Sequence, residues 1–245
     1  MVLPYCGSPP SPGELWERFN LDPLLLLVLS VFGVLLFWMV RGRWERRFAA
    51  LGWTIAFAAF VSPLCALSVS LFSARIAQHM ILLLVAAPFI ALALPRAPHR
   101  NGSWQLRASA GMFFVALWFW HMPDPYDATF NSTSTYWLMH STLFGSGILL
   151  WRELLHHRPN QAVEVFAVGA ITCMQMGFLG AILALAGRPL FSWHFTTTAV
   201  WGLSPLQDQQ LGGTLMWVPG ILLFLWVAIR SLERLWSALE GAKAA

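Results

Sequence analysis

The stretch "FAALGWTIAFAAFVSPLCALSVSLFSARIAQHMILLLVAAPFIALAL", residues 48–94, is apolar almost throughout and decides the kind of fold this chain adopts. A helix rises about 1.5 Å per residue, so one straight helix over this stretch would be about 70 Å long. The hydrocarbon core of a bilayer is only about 30 Å thick. The chain must therefore reverse within the stretch, and the polar residues "SARIAQH" at 73–79 are the expected position of the reversal.

The same composition extends over the whole chain. Of the 245 residues, 58% are hydrophobic and 11% are charged, and the mean hydropathy is +0.62, which excludes an ordinary water-soluble domain. We predict an all-α integral membrane bundle of seven transmembrane helices. The predicted spans are about 21–40, 48–72, 76–95, 106–122, 133–151, 162–186 and 212–229. They form one transmembrane domain, 21–236, between a short outer segment, 1–20, and a cytoplasmic tail, 237–245.

The distribution of the basic residues predicts the orientation. All lysines and arginines except Arg18, Arg75 and Arg188 fall on one side of the predicted spans. Because positive residues accumulate in cytoplasmic loops, we expect the N-terminus outside and the C-terminus in the cytoplasm. This sorting by loop also accounts for the net charge of +4 without a nucleic-acid partner.

The cysteines and the motif search give little sign of a disulfide, a zinc site or an enzyme. Cys6, Cys65 and Cys173 have neither CxxC pairing nor regular spacing, so we predict no disulfide framework, although the oxidation state of Cys6 is left open. No nucleophile and base pair, phosphate loop or HExxH helix is recognisable. We therefore expect no catalytic turnover.

Three histidines form the strongest site signal in the chain. They lie at similar depth near the outer ends of predicted spans, each beside a methionine: His79 with Met80, His121 with Met122, and His140 with Met139. Imidazole is the commonest metal ligand of proteins and thioether sulfur favours copper(I), so the pattern predicts a shared copper site. Neighbouring helical residues point about 100° apart, so the methionines are candidate soft contacts or simply packing residues. The alternative is that each histidine is an interfacial residue bonded to a carbonyl group or water.

Several polar residues near the outer side admit two interpretations. Asp124 and Asp127, in a segment without basic residues, either attract cations or form a proline-bounded turn. Asp208 either caps a helix N-terminus or orients a ligating histidine, and His194 is a further candidate for that second role. The sulfur residues of "CMQM", 173–176, either pack in the bundle or carry copper(I) through it.

Four segments carry a family resemblance: "SARIAQHMILLLVAAPFIALALP" (73–95), "WFWHMPDPYD" (118–127), "YWLMHSTLFGSGILLWRELL" (136–155) and "LQDQQLGGTLMWVPG" (206–220). Together they resemble the polytopic CtaG family of cytochrome c oxidase assembly factors. The resemblance implies a seven-helix protein of the bacterial plasma membrane that supports maturation of a haem-copper oxidase through copper handling, in contact with lipid and oxidase subunits. The matching motif residues are His79, Pro88, His121, Pro123, Tyr126, Asp127, His140, Asp208, Gln209, Gly213, Met216 and Trp217.

Three other functions fit the same residues. A b-type haem protein would use two of the histidines as axial ligands. A copper or proton transporter would need a polar path through the bilayer, for which only the segment 173–176 and scattered Ser and Thr residues are available. A scaffold without a ligand would use the histidines for stability alone. The metal, the oxidase that is served and the oligomeric state are not fixed by the sequence.

Overall fold

A computed structural model describes residues 3–95 and 104–244 of the protein, so the predicted cytoplasmic loop at 96–103 lies outside the described residues. All regular structure in the described ranges is helical, which confirms the all-α class. The α-helices are α1 (Pro23–Met39), α2 (Arg43–Val61), α3 (Leu64–Ser70), α4 (Phe72–Met80), α5 (Ala87–Ala93), α6 (Trp104–Trp120), α7 (Pro123–Asn131), α8 (Thr133–Leu155), α9 (Ala162–Ala184) and α10 (Pro205–Ala244).

The apolar stretch 48–94 breaks earlier than the sequence suggested. Ser62 is extended because a residue before proline is disfavoured in the helical region, and α2 and α3 meet there at a bend of 48°. Leu71 is also extended, and α4 begins at Phe72. The predicted reversal at 73–79 is therefore wrong, because these residues are helical and almost all of them are buried.

Helices α4 and α5 form one continuous helix through a π-helical segment. Residues Phe72–Ala93 are helical without interruption, and the π segment Ile81–Ala86 joins the two parts. Pro88 follows in the first turn of α5. A proline has no N–H to donate along a helix, and π segments are a common way in which helices accommodate such irregularities, frequently near functional sites. The π segment here follows directly after His79 and Met80.

The number of membrane spans is lower by length and composition than the predicted seven. In the part of the chain that the structure describes, three helical stretches qualify: Phe72–Ala93, Ala162–Ala184 and Pro205–Ser237. The bent pair α2 and α3 makes a fourth if it counts as one span. Helix α1 is apolar but has 17 residues. The described residues thus contain three or four candidate membrane spans, which indicates a membrane protein, and the seven-span topology stays a prediction.

Helices α9 and α10 pack closely because glycines face each other. A Cβ atom on Gly213 would lie 2.4 Å from the backbone nitrogen of Ala184 and 2.7 Å from the carbonyl oxygen of Gly180. A Cβ on Gly180 would meet the Gly213 carbonyl oxygen at 2.9 Å. Small residues at such crossings let helix backbones approach within a membrane. Helix α10 then continues unbroken past Trp236, so the predicted tail begins as helix.

The N-terminal segment is attached to the bundle by a disulfide that the sequence reading did not predict. Cys6 and Cys65 are bonded, and they are 59 positions apart in sequence. The side chain of Tyr5 packs against the rings of Tyr136 and Trp137, with centroids 4.9 and 5.1 Å away. The sequence left the oxidation state of Cys6 open, because the pairing depends on a tertiary contact between this segment and the start of α3, which spacing along the chain does not reveal.

We predict that Gly213→Ala destabilises the protein relative to Gly111→Ala. Both positions are helical, so both variants gain similar helix propensity, but the Gly111 Cβ would meet nothing within 4 Å. Overpacking at the α9–α10 crossing should cost about 1–3 kcal/mol. Equilibrium unfolding in a mixed-detergent series measures the difference, and equal stabilities of the two variants would contradict the packing argument.

Candidate functional site

Three histidines from three separate helices meet inside the bundle. His79 is the penultimate residue of α4, His121 directly follows α6, and His140 lies within α8. Their exposed fractions are only 1%, 3% and 2%. The ring centroid of His79 lies 5.6 Å from that of His121 and 5.2 Å from that of His140. We call these residues the histidine trio.

Backbone carbonyl groups orient two of the three imidazoles. Nδ1 of His121 lies 2.6 Å from the carbonyl oxygen of Leu117, and Nδ1 of His140 lies 3.1 Å from that of Tyr136. A carbonyl oxygen only accepts hydrogen bonds, so each Nδ1 must carry the proton and donate it. The neutral ring then presents a lone pair on Nε2.

The remaining nitrogens of the trio are buried without a hydrogen-bond partner. They are Nε2 of His121, Nε2 of His140 and both ring nitrogens of His79. A buried polar atom without a partner costs roughly 1–3 kcal/mol, so four such atoms in one cluster require a ligand, an ion or water to satisfy them. The arrangement therefore has the chemical features of a binding site.

The trio does not form a finished coordination cage. The imidazoles meet edge to face, with interplanar angles of 79° and 71°. Within residues 3–95 and 104–244, no group of three or more His, Cys, Asp and Glu side chains has the geometry of a metal site. Coordination of one ion by all three residues would thus require the rings to turn.

Aromatic side chains enclose His140. The Tyr136 ring lies 4.3 Å from it, the Phe60 ring 5.2 Å and the Trp137 ring 6.2 Å, measured between centroids. Such packing excludes water and leaves the imidazole in apolar surroundings, where an unpaired nitrogen is costly. These neighbours were not among the residues selected from the sequence, since nothing in the spacing distinguishes them from ordinary core residues.

Arg75 brings a positive charge into the same region. The sequence placed this arginine in an outer loop, but it lies in α4, one turn before His79, and is fully buried. Its guanidinium donates to Thr129 Oγ1 at 2.6 Å and lies over the ring of Phe130 at 4.0 Å. It also lies 5.7 Å from the Tyr136 ring centroid. Among the described salt bridges none includes Arg75, so aromatic faces, one neutral hydroxyl and the more distant negative charge of Asp127 stabilise its charge.

Asp208 anchors the helix that carries His79. Its carboxylate accepts hydrogen bonds from the backbone nitrogens of Phe72, at 2.6 Å, and Ser73, at 3.0 Å, and from the Ser73 hydroxyl. Asp208 therefore caps a helix, as one of the two interpretations predicted, but the helix is α4 and not α10, in which Asp208 itself lies. Its hydrogen-bond donors, Phe72 and Ser73, are in α4, so its effect on His79 passes through the helix.

The predicted outer loop after His121 is a helix. Pro123 opens α7, where its missing N–H costs no hydrogen bond. Tyr126 Oη lies 2.7 Å from His194 Nε2, and His194 Nδ1 lies 3.2 Å from the Ser70 carbonyl oxygen. His194 therefore donates from Nδ1 and accepts from the Tyr126 hydroxyl. Both its nitrogens are engaged, so His194 joins α7 to the end of α3 and has no free ring nitrogen for a metal ion.

Burial in this outer network keeps His194 neutral. Removal from water lowers the pKa of its imidazole to about 3, and the nearby positive charge of Arg75 acts in the same direction. Burial also raises the pKa of the Tyr126 hydroxyl. Asp127 lies beside this network, where one carboxylate oxygen bonds the Ser192 hydroxyl and the other is buried without a partner.

The other candidate residues have structural positions. Gln209 accepts a hydrogen bond from the Leu190 backbone nitrogen at 2.6 Å and donates one to the Leu183 carbonyl at 3.3 Å. These bonds connect α10 to α9 and to the segment between the two helices. Gly213 and Trp217 lie at the close contact with Gly180. Met216 is fully buried in the core.

The sulfur residues are divided between core and surface. Met80 and Met139 are buried in the main hydrophobic core, and Met122 is 49% exposed. In the segment 173–176, Met176 is buried while Met174 is exposed. The Cys173 thiol points toward the Ile221 carbonyl oxygen at 3.7 Å. Packing therefore accounts for Met80, Met139 and Met176.

Comparison with known proteins identifies one family. A model described as cytochrome c oxidase caa3 assembly factor (Caa3_CtaG) matches residues 31–237. The match includes the histidine trio, α7 and the capping Asp208, and it leaves the segment with Cys6 outside. No curated protein and no solved structure matches the chain.

We predict that Asp208→Ala lowers the free energy of unfolding by about 1–3 kcal/mol, because two buried N–H groups at the start of α4 lose their acceptor. Asp124→Ala is the matched control, since Asp124 is exposed on α7. Unfolding in mixed detergent compares the two variants with the parent. Equal stability of the Asp208 variant and the parent would show that the cap is dispensable.

Proposed function

The chain belongs to the cytochrome c oxidase caa3 assembly factor family, and we propose that it supports oxidase maturation by binding copper at His79, His121 and His140. The observation that carries this proposal is the cluster of buried, unpartnered imidazole nitrogens contributed by three helices. We propose no turnover of a substrate. The protein would bind copper and release it to an oxidase subunit.

The donor chemistry of the trio suits a metal ion. Nδ1 of His121 and of His140 is engaged by a backbone carbonyl, the usual way in which proteins orient a metal-binding imidazole and fix its tautomer. Nε2 is then the ligand atom of both residues, and His79 can offer either nitrogen. Three imidazoles suit copper or zinc. The family's association with a cytochrome c oxidase favours copper.

Arg75 favours a singly charged ion. Its buried guanidinium lies one helical turn from His79 and packs over the Tyr136 ring, which in turn contacts His140. Charges interact strongly in such low-dielectric surroundings, so a divalent cation would experience about twice the repulsion of a monovalent one. Copper(I) is therefore the proposed form, and a soft methionine ligand is not required for the preference.

A b-type haem is less well supported than a single ion. The rings of Tyr136, Phe60 and Trp137 pack around His140, and His79 contacts both other histidines edge to face. A macrocycle would have to enter between these contacts, whereas an ion needs only a change in ring rotation.

The membrane arrangement we propose is the seven-helix bundle in a bacterial plasma membrane, with the N-terminus outside. Helices α1, α6 and α8, of 17, 17 and 23 residues, supply the spans beyond the clear ones. In this orientation the Cys6–Cys65 disulfide lies in the outer compartment, where disulfides persist. The trio lies toward the same side, under α7, and Asp127 is placed to attract a cation there.

The protein is purified with its Cys6–Cys65 disulfide intact and is loaded anaerobically with copper(I). We expect it to bind about one copper ion per chain. His79→Ala, His121→Ala and His140→Ala should each lose most of it, because each removes one of three donors. His157→Ala is the control, as its Nδ1 bonds the Leu154 carbonyl at the other end of α8. Elemental analysis of the fractions that elute as folded protein gives the stoichiometry.

Two results would contradict the proposal. Copper bound equally by the parent and the trio variants would place the metal elsewhere. An absence of copper in the parent, together with a loss of stability in the variants, would leave the scaffold interpretation. A haem spectrum on purification would instead identify the b-type alternative.

A further inference from the structure

The Cys6–Cys65 disulfide contacts Tyr136, a residue that packs against the histidine trio. The hydroxyl of Tyr136 is 3.4 Å from Cys6 Sγ and 3.7 Å from Cys65 Sγ. The ring of the same tyrosine lies 4.3 Å from the His140 ring, and its carbonyl group accepts from His140 Nδ1. One residue thus separates the two sulfur atoms from a proposed copper ligand.

Both sulfur atoms are surrounded by groups that favour the reduced state. A disulfide sulfur has no hydrogen, so the single hydroxyl hydrogen of Tyr136 is the donor, either to Cys6 Sγ or to the more distant Cys65 Sγ. The Asn20 side-chain amide also donates to Cys65 Sγ, at 3.4 Å. These donors bond a thiolate more strongly than a disulfide, and stabilising the thiolate form makes a disulfide easier to reduce.

The two cysteines differ in access. Cys65 is fully buried at the start of α3, while Cys6 is partly exposed in the N-terminal segment. Cys6 is therefore the half of the bridge that is more open to a dissolved thiol. The segment that bears Cys6 is held beside the bundle by further contacts, such as the hydrogen bond from Tyr5 to Asp22 at 2.7 Å and that from Ser70 to the Pro10 carbonyl at 3.2 Å. These contacts keep the two sulfurs near each other after reduction.

We propose that the reduced Cys6 and Cys65 form a second copper(I) site, made of two sulfur ligands, beside the histidine trio. Two thiols of an external donor reduce the bridge, giving two cysteine thiols and the oxidised donor disulfide. Copper(I) then binds the two sulfurs and displaces their two protons, with no change in its oxidation state. Two thiolates are soft donors and prefer copper(I) to zinc or magnesium.

The position of this sulfur site gives it a role that rests on the proposed function of the trio. A copper ion held by Cys6 and Cys65 lies on the other side of Tyr136 from His140, so it can pass to the trio or receive copper from it over a short distance. Oxidation of Cys6 and Cys65 to the disulfide removes the two thiolate ligands, so that only the three imidazoles bind copper. The oxidised and reduced proteins should thus differ by one copper site.

The test compares copper(I) binding by the oxidised and the reduced protein. The full chain is purified in detergent, half is reduced with dithiothreitol and desalted anaerobically, and thiols are counted by the mass added on alkylation. Copper(I) is offered as its bicinchoninate complex, which limits capture to tight sites. The variants are Cys6→Ser/Cys65→Ser, Cys173→Ser and His79→Ala/His121→Ala/His140→Ala.

We expect reduction to add about one copper equivalent to the parent and to Cys173→Ser, and none to Cys6→Ser/Cys65→Ser. The histidine triple variant should keep the equivalent that appears on reduction and lose the other one. Its copper should then show sulfur neighbours in the X-ray absorption spectrum. This pattern separates the two sites, since failure of the trio would remove only the copper that is independent of reduction.

Three results would overturn the proposal. They are equal copper binding before and after reduction, a gain on reduction that persists in Cys6→Ser/Cys65→Ser, and a loss of the folded species when the bridge is reduced. In the last case the disulfide would be a structural crosslink. Size-exclusion elution and helical circular dichroism, recorded on the same samples, distinguish that result from a folded protein without the site.

Discussion

The N-terminus of α4 lies buried inside the protein, and its free N–H groups must find an acceptor there. The carboxylate of Asp208, from the start of α10, supplies it. An unsatisfied helix end in apolar surroundings would be costly, so this single contact determines where α4 can begin. The same contact positions Arg75 and His79, because both residues lie on α4, one turn apart. The capping contact joins α4 to α10, and the glycine crossing joins α10 to α9. Together they fix the position of the helix that bears His79.

The sequence identified the three histidines that meet in the bundle, but it did not identify the residues that surround them. Equal depth and a shared methionine neighbour selected His79, His121 and His140, and the structure brings their rings together. The aromatic residues around His140 and the buried Arg75 were not identified from the sequence. A sequence pattern does not distinguish such aromatic residues from ordinary core residues, and a lone arginine in an apolar stretch is interpreted as a loop residue. The Cys6–Cys65 bridge was not identified because a pairing over 59 residues depends on tertiary proximity.

The sequence predicted the all-α class correctly, but it predicted the ends of the helices less well. Hydropathy correctly identified an apolar helical protein, but it put the reversal of the stretch 48–94 at its most polar residues. The break lies instead at Ser62 and Leu71, where proline geometry and the distant Asp208 decide the backbone conformation. Polar residues inside a candidate membrane span, such as Arg75 and His79, lower its local hydropathy, so the hydropathy pattern alone predicts a loop there. Their burial is the reason that they are informative about function.

Copper binding in the proposed form requires three buried imidazoles to act as ligands to one ion. X-ray absorption at the copper edge, on the oxidised protein loaded with one equivalent of copper(I), tests this directly. We predict a first shell of nitrogen atoms with the outer-shell scattering of imidazole rings, which disappears in His79→Ala. A first shell dominated by sulfur, or a spectrum unchanged by that substitution, would contradict the assignment of the copper site to the histidine trio.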